Sequence, residues 1–289
     1  MQLPLLEQTK PVNVASVPQR SPFRYPGGKT WLVPQVRLWL TSQPNRPRQL
    51  IEPFAGGGIV SLTAVCENLV DSAVMVELDD QVASVWDTIL GCEYAWLIQH
   101  ILEFQLTEES VQQTLSSLPR SAREKAFQTL VKNRTYHGGI LAPGSGPIRY
   151  GENGKGIRSR WYPETIARRI EAIHKVKDRL DFVEGDGFEI LTINADRTDV
   201  AFFIDPPYTA GGKNAGSRLY LHNEIDHREL FRIARMLQGD LLMTYDNAGE
   251  ILTLAHEHGF HTRDVAMNNT HHAEMTELLV GRDLNWALR

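Results

Sequence analysis

The chain has 289 residues, a formal net charge of −5 and two cysteines. That length supports a sizeable core in one large or two modest domains, and the acidic balance taken whole argues against nucleic acid as a partner. No apolar stretch nears the ~20 residues of a membrane span, no basic start precedes an apolar run, and Cys66 and Cys92 lack metal-ligand spacing, so a cytoplasmic protein with reduced, packed thiols is expected.

Residues 1–20, rich in Pro, Gln and Val, read as a loosely ordered arm. Gly28-Lys29-Thr30 suggests a phosphate loop, but the glycine required six residues before the lysine is Phe23 and no strand precedes it. A strand over 49–54 runs through Glu52-Pro53-Phe54-Ala55 into the glycine turn Gly56-Gly57-Gly58. Behind it Ile59, Leu62, Val65, Cys66 and Leu69 recur at helical spacing. A glycine turn that opens a helix lets a ligand approach backbone N–H groups. The next strand, 73–78, ends in Glu77, where a ribose diol is held in nucleotide-binding sheets, and Asp79 and Asp80 cap the following helix. These elements describe a nucleoside-containing cofactor. The dinucleotide fingerprint fails at its third glycine, which is Ser61, and this leaves NAD as the runner-up.

The gap before the third strand is too long for a simple crossover. It holds helical segments near 93–104, 107–118 and 121–134, a glycine-rich loop from Gly138 to Gly156, and a helix over 163–179. That last helix buries Ile166, Ile170, Ile173 and Val176 and turns Arg168, Arg169, Lys175 and Arg179 elsewhere. Between Arg120 and Leu180 there are fourteen Lys and Arg against five Asp and Glu, so the basic charge is concentrated in one module. Arg149, Arg158 and Arg160, beside Tyr150, Trp161 and Tyr162, can reach base edges or phosphates from this loop, or can be solvated surface residues.

Strands near 181–185, 200–205, 239–245, 260–266 and 275–281 complete an alternating pattern that implies a mainly parallel, doubly wound sheet. The strand over 200–205 ends in Asp205-Pro206-Pro207-Tyr208. The prolines cannot continue a central strand and fix the carbonyls beside the carboxylate. Asp205 and the Pro206 carbonyl can accept the two N–H groups of an exocyclic purine amine while Tyr208 stacks on the ring. Residues 209–217 read as a glycine-rich flap over such a base. His256, His258, His271 and His272 have no third ligand at zinc spacing, so no metal site is expected.

Four stretches, Phe23-Arg24-Tyr25-Pro26-Gly27-Gly28-Lys29, Ile51 to Gly58, Asn133-Arg134 with Gly138-Gly139, and Asp205-Pro206-Pro207-Tyr208, occur in an order that resembles the Dam-like (D12 class) adenine-specific DNA methyltransferases. The resemblance implies a Rossmann-like catalytic domain from residues 21–91 and 181–289, with residues 92–180 inserted as a helical target-recognition domain. It implies S-adenosylmethionine as cofactor, with its methionine end near Tyr25, Gly28, Lys29 and Glu52-Pro53-Phe54, its ribose on Glu77, and its adenine amine on Asp186 beside Gly187. Asp186 can equally cap the helix that follows it. Catalysis falls to Asp205, Pro206, Pro207 and Tyr208 on a flipped adenine, and DNA binding to Asn133, Arg134, Arg149, Arg158 and Arg160. Double-stranded DNA is the implied partner, with a cognate restriction enzyme and the oligomeric state left open. The family's Phe-Asn-x-Pro-type segment is replaced by Ser159-Arg160-Trp161-Tyr162-Pro163, so no recognition sequence carries over. An RNA or protein-amide methyltransferase, or a DNA-binding module without catalysis, are the alternatives; amide-modifying relatives carry Asn where this chain has Asp205.

Overall fold

A computed structural model describes residues 16–24, 28–207, 225–268 and 274–288. Seven strands form one sheet: β1 (Gln49–Glu52), β2 (Ser72–Glu77), β3 (Leu180–Glu184), β4 (Val200–Ile204), β5 (Asp240–Asp246), β6 (His261–Asn268) and β7 (Glu274–Gly281). Their order is β3-β2-β1-β4-β5-β7-β6, parallel from β3 to β5, with β7 antiparallel to both of its neighbours. β4 is buried at all five residues, as a parallel strand covered on both faces must be. Each strand lies within a few residues of its sequence expectation. β1 stops at Glu52 because Pro53 cannot donate to the ladder.

On one face pack α1 (Val33–Ser42), α2 (Ile59–Cys66) and α3 (Asp80–Leu90). On the other lie α8 (Gly187–Ile193), α9 (His227–Met236) and α10 (Gly249–Glu257). The doubly wound α/β architecture read from the sequence is therefore present. Between β2 and β3 the chain adds α4 (Tyr94–Glu103), α5 (Glu108–Ser116), α6 (Ala122–Thr135) and α7 (Pro163–His174). These helices have no core apart from the sheet's. Leu97, Ile101, Leu130 and Ile170 belong to the same buried cluster as Leu50, Leu62 and Trp86, with α6 laid along α3.

The helix expected over 163–179 ends at His174, whose ring stacks on Tyr94 at 3.4 Å and whose Nδ1 meets the Ile89 carbonyl at 2.8 Å. Arg179, expected to point away, turns back and donates to the Val70 and Asp71 carbonyls at 2.7 Å, which fastens the return into β3. Cys92 is exposed, so only Cys66 is even partly packed. No helix among the described residues is long and apolar enough to cross a membrane, and no group of metal-ligating side chains gathers there.

The chain winds from β1 outward to β3 and then restarts at β4, beside β1 on its other side. Such a reversal opens a crevice beyond the carboxyl ends of the two central strands.

Candidate active site

A cleft of about 940 Å³ occupies that crevice. It is lined by residues from the carboxyl ends of β1, β2 and β4, from α8, from the stretches 19–24 and 28–30, and from the helical segment between β2 and β3. Its wall at β1 and β2 is built around two acids, the buried Glu52 and the partly buried Glu77. The Glu52 side chain turns back to accept the Ser61 N–H at 2.9 Å and the Ser61 hydroxyl, and burial pushes its carboxyl up to about 8. Glu77 accepts the N–H groups of Gly56 (2.9 Å), Leu78 (2.9 Å) and Asp79 (3.1 Å), and burial outweighs these bonds to raise its pKa.

The glycine turn thus differs from its sequence reading. The Gly56 N–H, expected to meet a ligand, is already held by Glu77, and the Gly56 carbonyl accepts from the Trp86 indole at 2.9 Å. Gly58 has φ +60°, and a Cβ there would lie 2.8 Å from the Met75 sulfur and 2.9 Å from the Trp86 ring. Its glycine serves the turn and the packing beneath it. With the Ser61 N–H at the start of α2 given to Glu52, this helix terminus is arranged against a carboxylate of the protein itself and not around a phosphate.

Across from Glu77, Asp186 caps α8 through the Phe188 N–H at 2.8 Å and still lines the cleft. A Cβ on Gly187 would lie 2.4 Å from the Pro53 carbonyl, so only glycine brings α8 this close to the end of β1. Phe54 and Phe188 meet edge to face, 6.2 Å apart, and Ile193, 69% exposed, continues an apolar wall that the sequence reading did not name. The apolar residues Phe188 and Ile193, five apart in the short run after Asp186, were the available signal.

At the end of β4, the Asp205 carboxylate accepts from the Thr244 hydroxyl at 2.6 Å and pairs with the Lys29 ammonium at 3.0 Å, both through Oδ1. Lys29 is only 3% exposed and also lies 3.5 Å from Glu277 of β7. The lysine expected at the methionine end of a cofactor is therefore placed on Asp205. Pro206 is buried, and Pro207 lines the cleft with Asp205. Tyr25, Tyr208 and the flap over 209–217 lie outside the described residues. Thr244 and Glu277 were missed because β5 and β7 are remote in sequence from the motif they touch.

The DNA-contact expectations divide. Asn133 is fully buried: its amide donates to the Arg24 carbonyl at 3.0 Å and the Gly139 carbonyl at 2.8 Å, and its oxygen accepts the Arg24 N–H at 2.8 Å. It is a clamp on the chain leading to Lys29, which corrects its assignment as a DNA contact. Arg134 is also buried, donating to the Pro22 carbonyl. Burial, reinforced by repulsion from Arg169, Arg24 and Arg160, lowers its guanidinium to about 9. Its Nε has no hydrogen-bond partner among the described residues. Arg169, expected to face outward, is half-buried and donates to the Ser21 carbonyl at 2.9 Å. Arg24, Arg134, Arg160 and Arg169 all line the cleft, whereas Arg149 and Arg158 are exposed and do not line it.

Searched against family models, the chain matches none. It is 25% identical over 257 residues to a DNA N-6-adenine-methyltransferase of Escherichia phage P1, a match that covers 84% of this chain and 32% of the phage protein. The chain thus spans about a third of that relative's length. Among solved structures it is similar to a Pyrococcus horikoshii protein designated an RNA methyltransferase, with TM-score 0.42, 11% identity and coverage of 93% and 92% of the two chains. A SAM-dependent methyltransferase from Agrobacterium tumefaciens gives TM-score 0.41 at 8% identity, over 88% of this chain and 60% of that one.

Proposed function

We propose that this protein transfers a methyl group from S-adenosylmethionine to the exocyclic N6 amine of an adenine extruded from duplex DNA. The observation that carries the reading is the Asp205 carboxylate, held by Lys29 and Thr244 at the floor of the switch-point cleft and followed at once by two prolines. The residues facing the cleft fit the cofactor. Glu77, fixed by three backbone N–H groups, retains acceptor capacity for a ribose hydroxyl. Phe54, Phe188 and Ile193 offer an apolar wall for a purine, with Asp186 as an acceptor at its edge. The α2 terminus, occupied by Glu52, favours a ligand without phosphates over a dinucleotide.

When bound, this cofactor supplies an electrophilic methyl group on a sulfonium. The protein's part is to aim a poor nucleophile. Asp205 accepts one N–H of the adenine amine and the Pro206 carbonyl the other, drawing the lone pair out of conjugation and toward the methyl group. A charge-assisted bond of this kind contributes roughly 1.5–3 kcal/mol, against a few kcal/mol for extruding the base. The arginines at the cleft supply the positive surface that phosphates require, and the match to the phage adenine methyltransferase favours DNA as the substrate.

The test is incorporation of labelled methyl from S-adenosylmethionine into duplex DNA, with modified-base sequencing of DNA from a methylation-free host expressing the chain. N6-methyladenine at a defined sequence is expected, and Asp205→Ala should abolish it while S-adenosylhomocysteine still binds. Label entering RNA or protein but not DNA would refute the substrate, and an unchanged Asp205→Ala rate would refute the mechanism.

A further inference from the structure

Glu277 lies on β7, the strand next to the sheet edge, in register with Asp246 of β5 and Val265 of β6. It is 5% exposed. Its Oε2 has no hydrogen-bond partner among the described residues and lies 3.5 Å from the Lys29 ammonium, which is 3.0 Å from Asp205 on its other side. A buried carboxylate costs several kcal/mol of desolvation unless a charge compensates it, and one that only packs is replaced at no loss by an apolar residue. Lys29 alone cannot neutralise both acids: with all three ionised the cluster carries one net negative charge.

Resting on the methyltransferase reading above, we propose that Glu277 is a positioning residue for methyl transfer: it shares the Lys29 ammonium with Asp205, and so leaves the cluster its negative charge where the substrate amine must become cationic. As the methyl group moves, its bond to sulfur breaks while a bond to the amine nitrogen forms, S-adenosylhomocysteine leaves, and the sulfonium's positive charge passes to that nitrogen, which then gives one proton to the Asp205 carboxylate and through it to solvent, leaving the neutral methylated amine. A net negative cluster beside that nitrogen favours the transfer. With Glu277 neutral, the lysine falls to Asp205 alone, the cluster becomes neutral, and Asp205 weakens as an acceptor. Among the described residues the charged groups that act on Glu277 are Lys29, Asp205 and Asp246; burial pushes Glu277 up to about 7 against the opposing pull of Lys29. Its charge is therefore present above that pH and lost below it.

The experiment measures kcat and KM for duplex DNA in wild type, Glu277→Gln and Glu277→Asp between pH 6 and 8.5, with S-adenosylhomocysteine affinity and thermal melting as controls of folding. Wild type should lose activity as pH falls through about 7. Glu277→Gln should be about tenfold slower in kcat at pH 8.5, close to wild type at pH 6, and unchanged in affinity for S-adenosylhomocysteine within about twofold. Glu277→Asp, which keeps the charge, should restore the pH dependence. A folded Glu277→Gln enzyme with the wild-type pH profile overturns the proposal, as does a loss of equal size at every pH. If the Gln variant fails to fold, the Asp variant decides alone: loss of its pH step refutes the role. Failure of wild type to methylate DNA at any pH strikes instead at the methyltransferase reading.

Discussion

Replacing Glu52 by Gln should stabilise the protein at alkaline pH and leave it unchanged at acid pH. Glu52 is 3% exposed, its position in the cleft wall set by the Ser61 N–H and hydroxyl, and burial raises its carboxyl from the ordinary 4.5 to about 8. In the unfolded chain the proton leaves near 4.5, so between these two values the folded state binds the extra proton. Stability from this group is then greatest below pH 4.5 and falls as pH rises through 8. The slope is about 1.4 kcal/mol per pH unit, or on the order of 3–4 kcal/mol between pH 5 and pH 8. Gln reproduces the shape of the protonated acid, accepts the same two bonds from Ser61, and has no proton to lose. Glu77 and Glu277, which titrate in both proteins, cancel in the difference. Melting of both proteins by calorimetry at pH 5 and pH 8 should show coincident transitions at the lower pH. At the higher pH the Gln variant should melt roughly 5–15 °C above wild type, at 2–4 °C per kcal/mol. A difference that does not change with pH, or a Gln variant less stable at pH 8, would refute the account of Glu52 as a buried acid that capping only partly compensates.

Glu77→Ala should weaken S-adenosylhomocysteine binding at least tenfold by calorimetry, because it removes the ribose acceptor and also frees the Gly56, Leu78 and Asp79 N–H groups; wild-type affinity would mean the ribose lies elsewhere. Gly139→Ala should destabilise by about 2 kcal/mol or more in urea melts, since its φ is +77° and a Cβ would lie 1.9 Å from the Arg24 carbonyl. A neutral result there would mean that the clamp made by Asn133 is slack. Arg160→Gln should reduce affinity for every duplex alike and lower the slope of log affinity against log salt by about 0.9, while S-adenosylhomocysteine affinity stays at its wild-type value. Loss of preference at a single base pair, with an unchanged slope, would make Arg160 a base reader instead.

The local chemistry of the chain determined where its strands stop and what they present there. Pro53 ends β1 after Glu52, and the run Asp205-Pro206-Pro207 ends β4 after Ile204. Asp79 and Asp186 cap α3 and α8 as short acids before helical runs do, and the apolar runs around 50, 74, 202 and 242 could be buried only in a sheet covered on both faces. These features depend on neighbours in sequence, and composition and spacing expose them. The tertiary structure decided which polar groups meet. Lys29 reached Asp205 and Glu277 because β7 enters the sheet between β5 and β6, an arrangement with no local signature. Asn133 and Arg134 look like surface residues of a basic module, yet the packing of α6 over α3 turns them onto the carbonyls of Arg24 and Pro22. The glycine turn reads as a ligand cradle until Glu77 folds back to take the Gly56 N–H and Glu52 takes the Ser61 N–H at the start of α2. A side chain's type is written in the sequence, but its partner is fixed by strand order and by burial, where an unpaired polar group costs more than any local preference provides.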